Sequence, residues 1–191
     1  MTRAAPRLGV LVSGRGSNLE AILDAGVPVV TVISNRPGVR ALEVASGHRV
    51  PAFVLPRADF ADADSRDGAI GRRLTDAGVT LCLLAGYDQR LRDGFFAAFP
   101  GRTINIHPSL LPAHGGPGMV GLAVHQSVLA SGDPETGVTI HEVTPELDAG
   151  PILAQVRVPV LPDDDPETLA ARVLAEEHRL LVGTLADLLR G

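Results

Sequence analysis

Lysine is missing from this 191-residue sequence, and all 17 members of the Lys and Arg class are arginines. Without lysine, the chain cannot form a Schiff base through a side-chain amine or carry the lysine of a Walker A loop. Any phosphate must therefore be held by arginine, by hydroxyl groups or by backbone N–H groups.

Cysteine is nearly missing as well, because Cys82 is the only one in the chain. A single thiol excludes an internal disulfide, and its place in the apolar run Leu81 to Ala85 indicates a buried, inert group. The six histidines are scattered, with no H-x-x-x-H spacing, and no C-x-x-C pair exists. We therefore expect no metal site and no metal cofactor.

Positive charge in excess, aromatic residues and long apolar runs are also scarce. The net charge is −5 and aromatic residues make up 3% of the chain, which disfavours nucleic acid as a partner. No apolar run approaches the roughly 20 residues that cross a bilayer, and the N-terminal residues do not form a signal peptide pattern. We expect a cytoplasmic protein that has no membrane partner.

Short apolar runs that alternate with helical segments are what the sequence does contain. They predict five strands joined by crossover connections, at residues 8–13, 29–33, 51–55, 80–85 and 103–107. Two further strands are predicted at residues 138–143 and 152–160. The pattern indicates one α/β domain, with a doubly wound, mostly parallel sheet flanked by helices and an antiparallel edge strand near the C-terminus.

Helices are predicted between and after these strands. They cover residues 40–46, 65–77, 91–99 and about 120–130, besides one that follows the first strand. The last helix is expected to begin at Pro166, with Asp165 as its N-cap, and to end near Leu189.

The segment Ser13 to Asn18 joins the first strand to a helical segment and contains two glycines. Its glycines allow a tight turn, after which the free N–H groups of a helix start can face an anion. The segment matches G-x-G but not the full dinucleotide pattern G-x-G-x-x-G, so a phosphate monoester fits better than a dinucleotide. A plain strand-to-helix turn is the alternative.

Asn105 and His107 lie two residues apart in a β-branched strand, so their side chains point to the same side. A buried structural histidine is the simpler interpretation of His107 alone. However, the glycine turn, Gly86-Tyr87 and His107 all follow strands of one parallel sheet, whose carboxyl ends share an edge where ligands bind. This convergence favours a functional role for His107. Asp148, taken alone, is an ordinary turn aspartate.

Four motifs together carry a family resemblance. They are Ser13-Gly14-Arg15-Gly16-Ser17-Asn18, Asn105-Ile106-His107-Pro108-Ser109-Leu110-Leu111-Pro112, Thr136-Gly137-Val138-Thr139-Ile140-His141 and Glu146-Leu147-Asp148-Ala149-Gly150-Pro151. In order and spacing the chain resembles the phosphoribosylglycinamide formyltransferases, a branch of the folate-dependent formyltransferases, from Leu8 to about Leu189. The resemblance implies a Rossmann-like fold over residues 1–191. Residues 8–100 would form the ribonucleotide half, and residues 101–191 the catalytic and folate half.

The resemblance also implies a reaction in purine biosynthesis. A formyl group would pass from 10-formyltetrahydrofolate, as co-substrate, to the amine of glycinamide ribonucleotide, with no metal. Asn105 and protonated His107 would hold the oxyanion, while Asp148 would pair with His107 and relay the proton.

Binding residues follow from the same resemblance. The ribonucleotide would contact Gly16, Ser17, Asn18 and Glu177, although a solvated helix face is the local interpretation of Glu177. The folate would contact Arg66, Asp88, Gln89, Arg90, Leu91, Asn105, Thr144, Pro145, Glu146, Leu147 and Asp148. His125 and His141 would lie behind the reacting groups, and the protein would be a monomer or a homodimer.

Two segments depart from the family pattern. Asp88-Gln89-Arg90-Leu91 stands where the family commonly has Met-Arg-Ile after the Gly-aromatic pair. Ala113 replaces a frequent lysine and opens a longer loop, His114 to Gly121.

Three other functions are compatible with parts of the sequence. Methionyl-tRNA formyltransferase needs an added tRNA-binding domain, and formyltetrahydrofolate hydrolase normally carries a regulatory domain; we expect neither in 191 residues. A catalytically silent nucleotide-binding module is the non-enzyme alternative, and the joint presence of Asn105, His107 and Asp148 disfavours it.

Overall fold

The computed structural model describes residues 5–190, and the apolar runs of the sequence form its strands. The strands are β1 (Leu8–Val12), β2 (Val29–Ser34), β3 (Ala52–Val54), β4 (Leu81–Leu84), β5 (Arg102–His107), β6 (Glu135–Glu142) and β7 (Ile152–Pro159). They form one sheet in the order β3-β2-β1-β4-β5-β6-β7. Neighbours from β3 to β5 are parallel, whereas β6 is antiparallel to both β5 and β7.

Helices cover both faces of this sheet. They are α1 (Ser17–Asp24), α2 (Arg40–Gly47), α3 (Ala63–Asp76), α4 (Asp93–Ala98), α5 (Leu122–Ser131) and α6 (Pro166–Arg190), with a 3₁₀ turn at Arg57–Asp59. None of the helices in residues 5–190 has the length and apolar character that crossing a membrane requires.

The alternation of side chains along β1 explains the two apolar layers. Val10 and Val12 pack in the layer that contains α1 and α6, whereas Leu11 packs in the layer that contains α3 and α4. Because a strand places successive side chains on opposite faces, an unbroken apolar run suits a sheet covered on both sides. The predicted doubly wound, mostly parallel fold is confirmed.

Some predicted boundaries move for identifiable reasons. The helix predicted at residues 65–77 begins two residues earlier, because Asp62 caps it: the Ser65 N–H donates to Asp62 Oδ1 at 2.7 Å. The N-cap at Asp165 is confirmed, since the Thr168 N–H donates to Asp165 Oδ1 at 2.8 Å. The edge strand β7 is also confirmed. The strand that runs against all the others, however, is its neighbour β6.

Candidate active site

A cavity of about 940 Å³ opens where the loops after β1, β4 and β5 meet. One wall comes from α6, and another comes from the loop between β6 and β7. The cavity therefore lies at the carboxyl edge of the parallel strands, where an open α/β sheet usually binds its ligand.

One end of the cavity is the turn between β1 and α1. Gly16 has φ +75°, and a Cβ added there would lie 2.7 Å from both the Cα and the Cβ of Ala41 in α2. Only glycine meets both demands without strain, so the turn brings its backbone against α2 and starts α1 at Ser17. The first N–H groups of α1 have no partner within the helix itself. The turn can therefore hold an anion.

Beside this turn, Asn18 contacts a carboxyl group from the far end of the chain. Its Nδ2 donates to Glu177 Oε2 on α6 at 2.7 Å, and both side chains are buried. Burial raises the pKa of Glu177, although the hydrogen bond from Asn18 opposes that shift. The Oδ1 of Asn18 is buried and has no hydrogen-bond partner within residues 5–190. Two polar groups are thus held ready beside the anion-binding turn.

The middle of the cavity contains Asn105 and His141, which face each other across the β5–β6 ladder. His141 Nδ1 lies 2.8 Å from the Glu142 carbonyl oxygen, so this nitrogen carries a proton and donates. Nε2 of the neutral ring can then accept from Asn105 Nδ2, which lies 3.1 Å away. Burial lowers the pKa of His141, which favours this neutral form. One N–H of Asn105 is used by His141, and the other is left for a ligand.

His107 lies at the end of β5 with only 5% of its surface exposed. Its Nε2 is 2.9 Å from the carbonyl oxygen of His114, so Nε2 carries a proton and donates. Nδ1 has no hydrogen-bond partner among residues 5–190. His125, on α5, also faces the cavity, and burial followed by the nearby His107 lowers its pKa.

Asp148 approaches the cluster from the β6–β7 loop with a left-handed backbone, φ +52°. Its Oδ2 accepts from the Gly116 N–H at 2.8 Å, and its Oδ1 lies 3.7 Å from His141 Nε2. No ion pair within 4 Å joins Asp148 to His107 anywhere in the described chain. The predicted pairing of Asp148 with His107 is therefore wrong for this structure. The segment His114 to Gly116 lies between them and contacts both.

The far wall of the cavity contains Asp88, Gln89 and Arg90. Asp88 accepts hydrogen bonds from Asn35 Nδ2 at 2.9 Å and from Arg36. Burial alone would raise the pKa of Asp88, but its hydrogen bonds lower it overall. Arg90 Nη2 donates to the Pro145 carbonyl oxygen at 2.5 Å, which joins this wall to the β6–β7 loop.

A family model described as formyl transferase matches residues 6–185. The chain belongs to this family. It is 44% identical over 190 residues to phosphoribosylglycinamide formyltransferase of Mycobacterium tuberculosis H37Rv, covering 97% of this chain and 86% of that one.

Two other relatives extend the comparison. The trifunctional purine biosynthetic protein adenosine-3 of Drosophila melanogaster is 40% identical over 199 residues; the match covers all of this chain but only 14% of that protein's length. The solved structure of glycinamide ribonucleotide transformylase 1 from Symbiobacterium toebii matches with a TM-score of 0.89 and 40% identity. That match covers 97% of this chain and 87% of that one.

Most residues that the formyltransferase resemblance implied are brought together by the fold. The predicted residues that line the cavity are Gly16, Ser17, Asn18, Asp88, Gln89, Arg90, Leu91, Asn105, His107, His125, His141, Thr144, Glu146, Leu147, Asp148 and Glu177. Pro145 is not on its surface, although its carbonyl group accepts from Arg90.

Arg66 does not lie where a folate ligand would reach it. Its side chain is 1% exposed and pairs with Asp67, with 2.6 Å between Arg66 Nη2 and Asp67 Oδ1. Its Nη1 lies 3.4 Å from Gln89 Oε1, so Arg66 supports the cavity wall from behind. The predicted direct contact of Arg66 with folate therefore disagrees with this structure.

One face of α6 lines the cavity and was missed from the sequence, apart from Glu177. Its members are Glu167, Ala170, Ala171 and Leu174, which come at helical spacing before Glu177. That spacing, with two small residues in the middle, was the signal that could have revealed the face. The loop His114 to Gly121 also contributes Met119 and Val120 to the cavity wall.

Proposed function

We propose that this protein transfers the formyl group of 10-formyltetrahydrofolate to the amine of N1-(5-phospho-D-ribosyl)glycinamide, in purine biosynthesis. One observation carries the proposal: a single cavity has an anion-binding turn with Asn18 and Glu177 at one end. Asn105, His107 and Asp148 lie further along it. A phosphorylated amine held at the turn would extend toward these three groups.

Asn105 and His107 would stabilise the charge that forms when the amine attacks the formyl carbon. Each donor aimed at such an oxyanion is typically worth about 3 kcal/mol of barrier. Asn105 has one N–H left over from His141, and His107 has Nδ1 left over from the His114 carbonyl group. Because Nε2 already carries a proton, His107 can donate through Nδ1 only as the imidazolium. Protonated His107 is therefore the reactive form.

Asp148 would move the proton. Attack forms a bond from the amine nitrogen to the formyl carbon and leaves a proton to remove. Oδ2 is engaged by Gly116, so Oδ1, near His141, is the free acceptor. The proton then passes to N10 of the folate as the bond from the formyl carbon to N10 breaks. The charges balance without a metal ion or an external oxidant.

The two ends of the cavity suit the two substrates. Backbone N–H groups of the turn would hold the phosphate, and Glu177 would accept hydrogen bonds from ribose hydroxyl groups. The opposite end combines the polar side chains of Gln89 and Arg90 with the apolar side chains of Leu91 and Leu147. A flat pterin ring with an amide tail fits such a wall. The contact of Arg90 with the Pro145 carbonyl group joins this wall to the β6–β7 loop.

One assay tests the proposal. The protein is incubated with 10-formyltetrahydrofolate, and deformylation is followed with glycinamide ribonucleotide present or omitted. We expect turnover only with the amine, and a loss of at least 100-fold in His107→Ala. His48→Ala is the control, because it also removes an imidazole, one that pairs with Asp24 and lies outside the cavity. Turnover that does not need the amine would indicate a hydrolase and would contradict the proposal.

A further inference from the structure

The side chain of His114 makes contacts that the proposed reaction does not use. Its Nδ1 lies 2.8 Å from Ser127 Oγ on α5, and its Nε2 lies 2.7 Å from Asp133 Oδ2, just after that helix. Asp133 Oδ2 also accepts from Ser131 Oγ at 2.8 Å. Both ring nitrogens are therefore engaged, and the ring is held against α5 by two independent contacts.

The backbone at His114 is held in a conformation that needs such support. His114 has φ +54°, in the left-handed region that only a few per cent of non-glycine residues occupy. A non-glycine residue in this region is strained and persists only where its surroundings impose it. The two side-chain contacts provide that restraint.

The same backbone reaches both groups that would carry out the reaction. The His114 carbonyl oxygen lies 2.9 Å from His107 Nε2, and the Gly116 N–H donates to Asp148 Oδ2 at 2.8 Å. Between them, Gly115 packs so tightly that an added Cβ would lie 2.6 Å from Leu111 and 3.4 Å from Asp148 Cβ. One tripeptide thus links His107 to Asp148.

We infer that His114 is a positioning residue, whose side chain fixes the tripeptide His114 to Gly116 so that this tripeptide orients His107 and Asp148 together. The inference rests on the proposed function for its kinetic consequence, but not for its structural one. The carbonyl group requires a proton on Nε2 of His107, which directs Nδ1 to the substrate. Without the restraint, the tripeptide can shift, and both groups lose their orientation at once.

Kinetics provide the first test. His114→Ala should lower kcat by about 10- to 100-fold, since small misplacements of reacting groups have effects of this size, while both KM values change little. Asp133→Ala should lower kcat similarly. The kcat of the double variant should be no lower than that of the less active single variant. Asp133→Asn retains an oxygen that accepts from His114 Nε2 and should restore most of the rate. His48→Ala should behave as the wild type.

Nuclear magnetic resonance provides a second test that does not need activity. At alkaline pH, the ¹⁵N shifts of His107, assigned by their loss in His107→Ala, should report a single Nε2–H tautomer in the wild type. In His114→Ala and Asp133→Ala, the two tautomers should be mixed. A change confined to packing elsewhere in the loop would not alter this ratio.

The outcomes separate the two proposals. Wild-type kcat together with an unmixed tautomer in both His114→Ala and Asp133→Ala would overturn the positioning role. If the wild type shows no amine-dependent turnover, the proposed function fails, and the tautomer ratio still decides the role of His114. If His114→Ala does not fold, Asp133→Ala and Ser127→Ala provide the same measurements from residues that are not strained.

Discussion

At the scale of single residues, the protonation state of His141 determines what Asn105 can do. His141 accepts from Asn105 only while its Nε2 is bare, and burial, which lowers its pKa, favours that neutral state. A protonated ring would present an N–H to the Asn105 amide and an attractive charge to Asp148 Oδ1, 3.7 Å away. Protonation would therefore rotate the ring or the amide out of place.

His141→Gln tests this dependence. The glutamine oxygen can still accept from Asn105 but does not titrate, so kcat near pH 7.5 should stay within about 10-fold of the wild type. His141 has a pKa below its ordinary value of 6.5, so it is neutral at pH 7.5 and gains a proton as the pH falls. Between pH 7 and pH 5 the wild type should lose a larger fraction of kcat than the variant. Parallel pH profiles would contradict this role.

The sequence predicted some of these residues and not their partners, for a physical reason. Strand alternation alone places Asn105 and His107 on one side. The partner of Asp148 depends on a left-handed backbone and on Gly116, 32 residues earlier, and no local pattern encodes that contact. Arg66 was misjudged because its burial beside Asp67 is a tertiary property, whereas most helical arginines are exposed.

At the scale of elements, the turn between β1 and α1 depends on its packing against α2. The Gly14 carbonyl oxygen accepts from the Ala41 N–H at 3.1 Å, and Gly16 lies against the same residue. The geometry of the turn is therefore set by two helices and a strand together, and it should respond to any side chain inserted between them.

Gly16→Ala inserts such a side chain, and Gly14→Ala is its matched control. Gly16 combines φ +75° with a contact at 2.7 Å to the Ala41 backbone, so its variant should lower the free energy of unfolding by about 2 kcal/mol. Its KM for glycinamide ribonucleotide should also rise. An added Cβ at Gly14 would meet nothing within 4 Å, so Gly14→Ala should retain the wild-type melting temperature. Thermal denaturation measures the stability of both variants, and initial rates measure their KM. Equal melting temperatures for Gly16→Ala and Gly14→Ala would contradict the role assigned to the contact of Gly16 with Ala41.

The elements themselves were largely predictable, whereas their directions were less so. Apolar runs between turn residues located every strand, because a sheet covered on both faces requires them. The reversal of β6 relative to β5 has no local signal, since the β5–β6 connection also contains a helix, as a parallel crossover does. The cavity face of α6 was missed because small residues on a helix equally suit packing.

At the scale of the whole molecule, α6 connects the two predicted halves. It packs against α1 from the first half and against β6 and β7 from the second. Glu177 completes the end of the cavity beside the β1–α1 turn, although it lies 159 residues after Asn18. The sheet also continues from β4 to β5 without a break. The cavity is therefore formed by elements from both halves of the described chain.

Buried histidines should make the stability of this fold sensitive to pH. Burial lowers the pKa of both His125 and His141 below 6.5, so the unfolded chain binds more protons than the native one once the pH falls below that value. The contribution of these neutral histidines to the free energy of unfolding is thus present above about pH 6.5, and it is lost as the pH falls below that value. The urea midpoint should be lower at pH 5.5 than at pH 7.5.

His125→Leu should reduce that difference, because it removes one of the histidines whose pKa is lowered by burial. His48→Ala, at an exposed position on another helix end, should leave the difference unchanged. An unaltered difference between the two pH values in His125→Leu would show that other groups dominate the acid response.

Hydrogen exchange should distinguish two parts of the site, because Asn105 and His141 pair across the β5–β6 ladder whereas His114 lies in a loop. Main-chain amides inside a buried ladder open only when the whole domain unfolds, whereas loop amides can open locally. The donor side of the site should therefore exchange with the slowest amides of the described chain. The tripeptide at His114 faces it from a loop held by a few side chains. We therefore expect one wall of the cavity to open only when the domain unfolds, and the other wall to tolerate substitutions that leave the sheet unchanged.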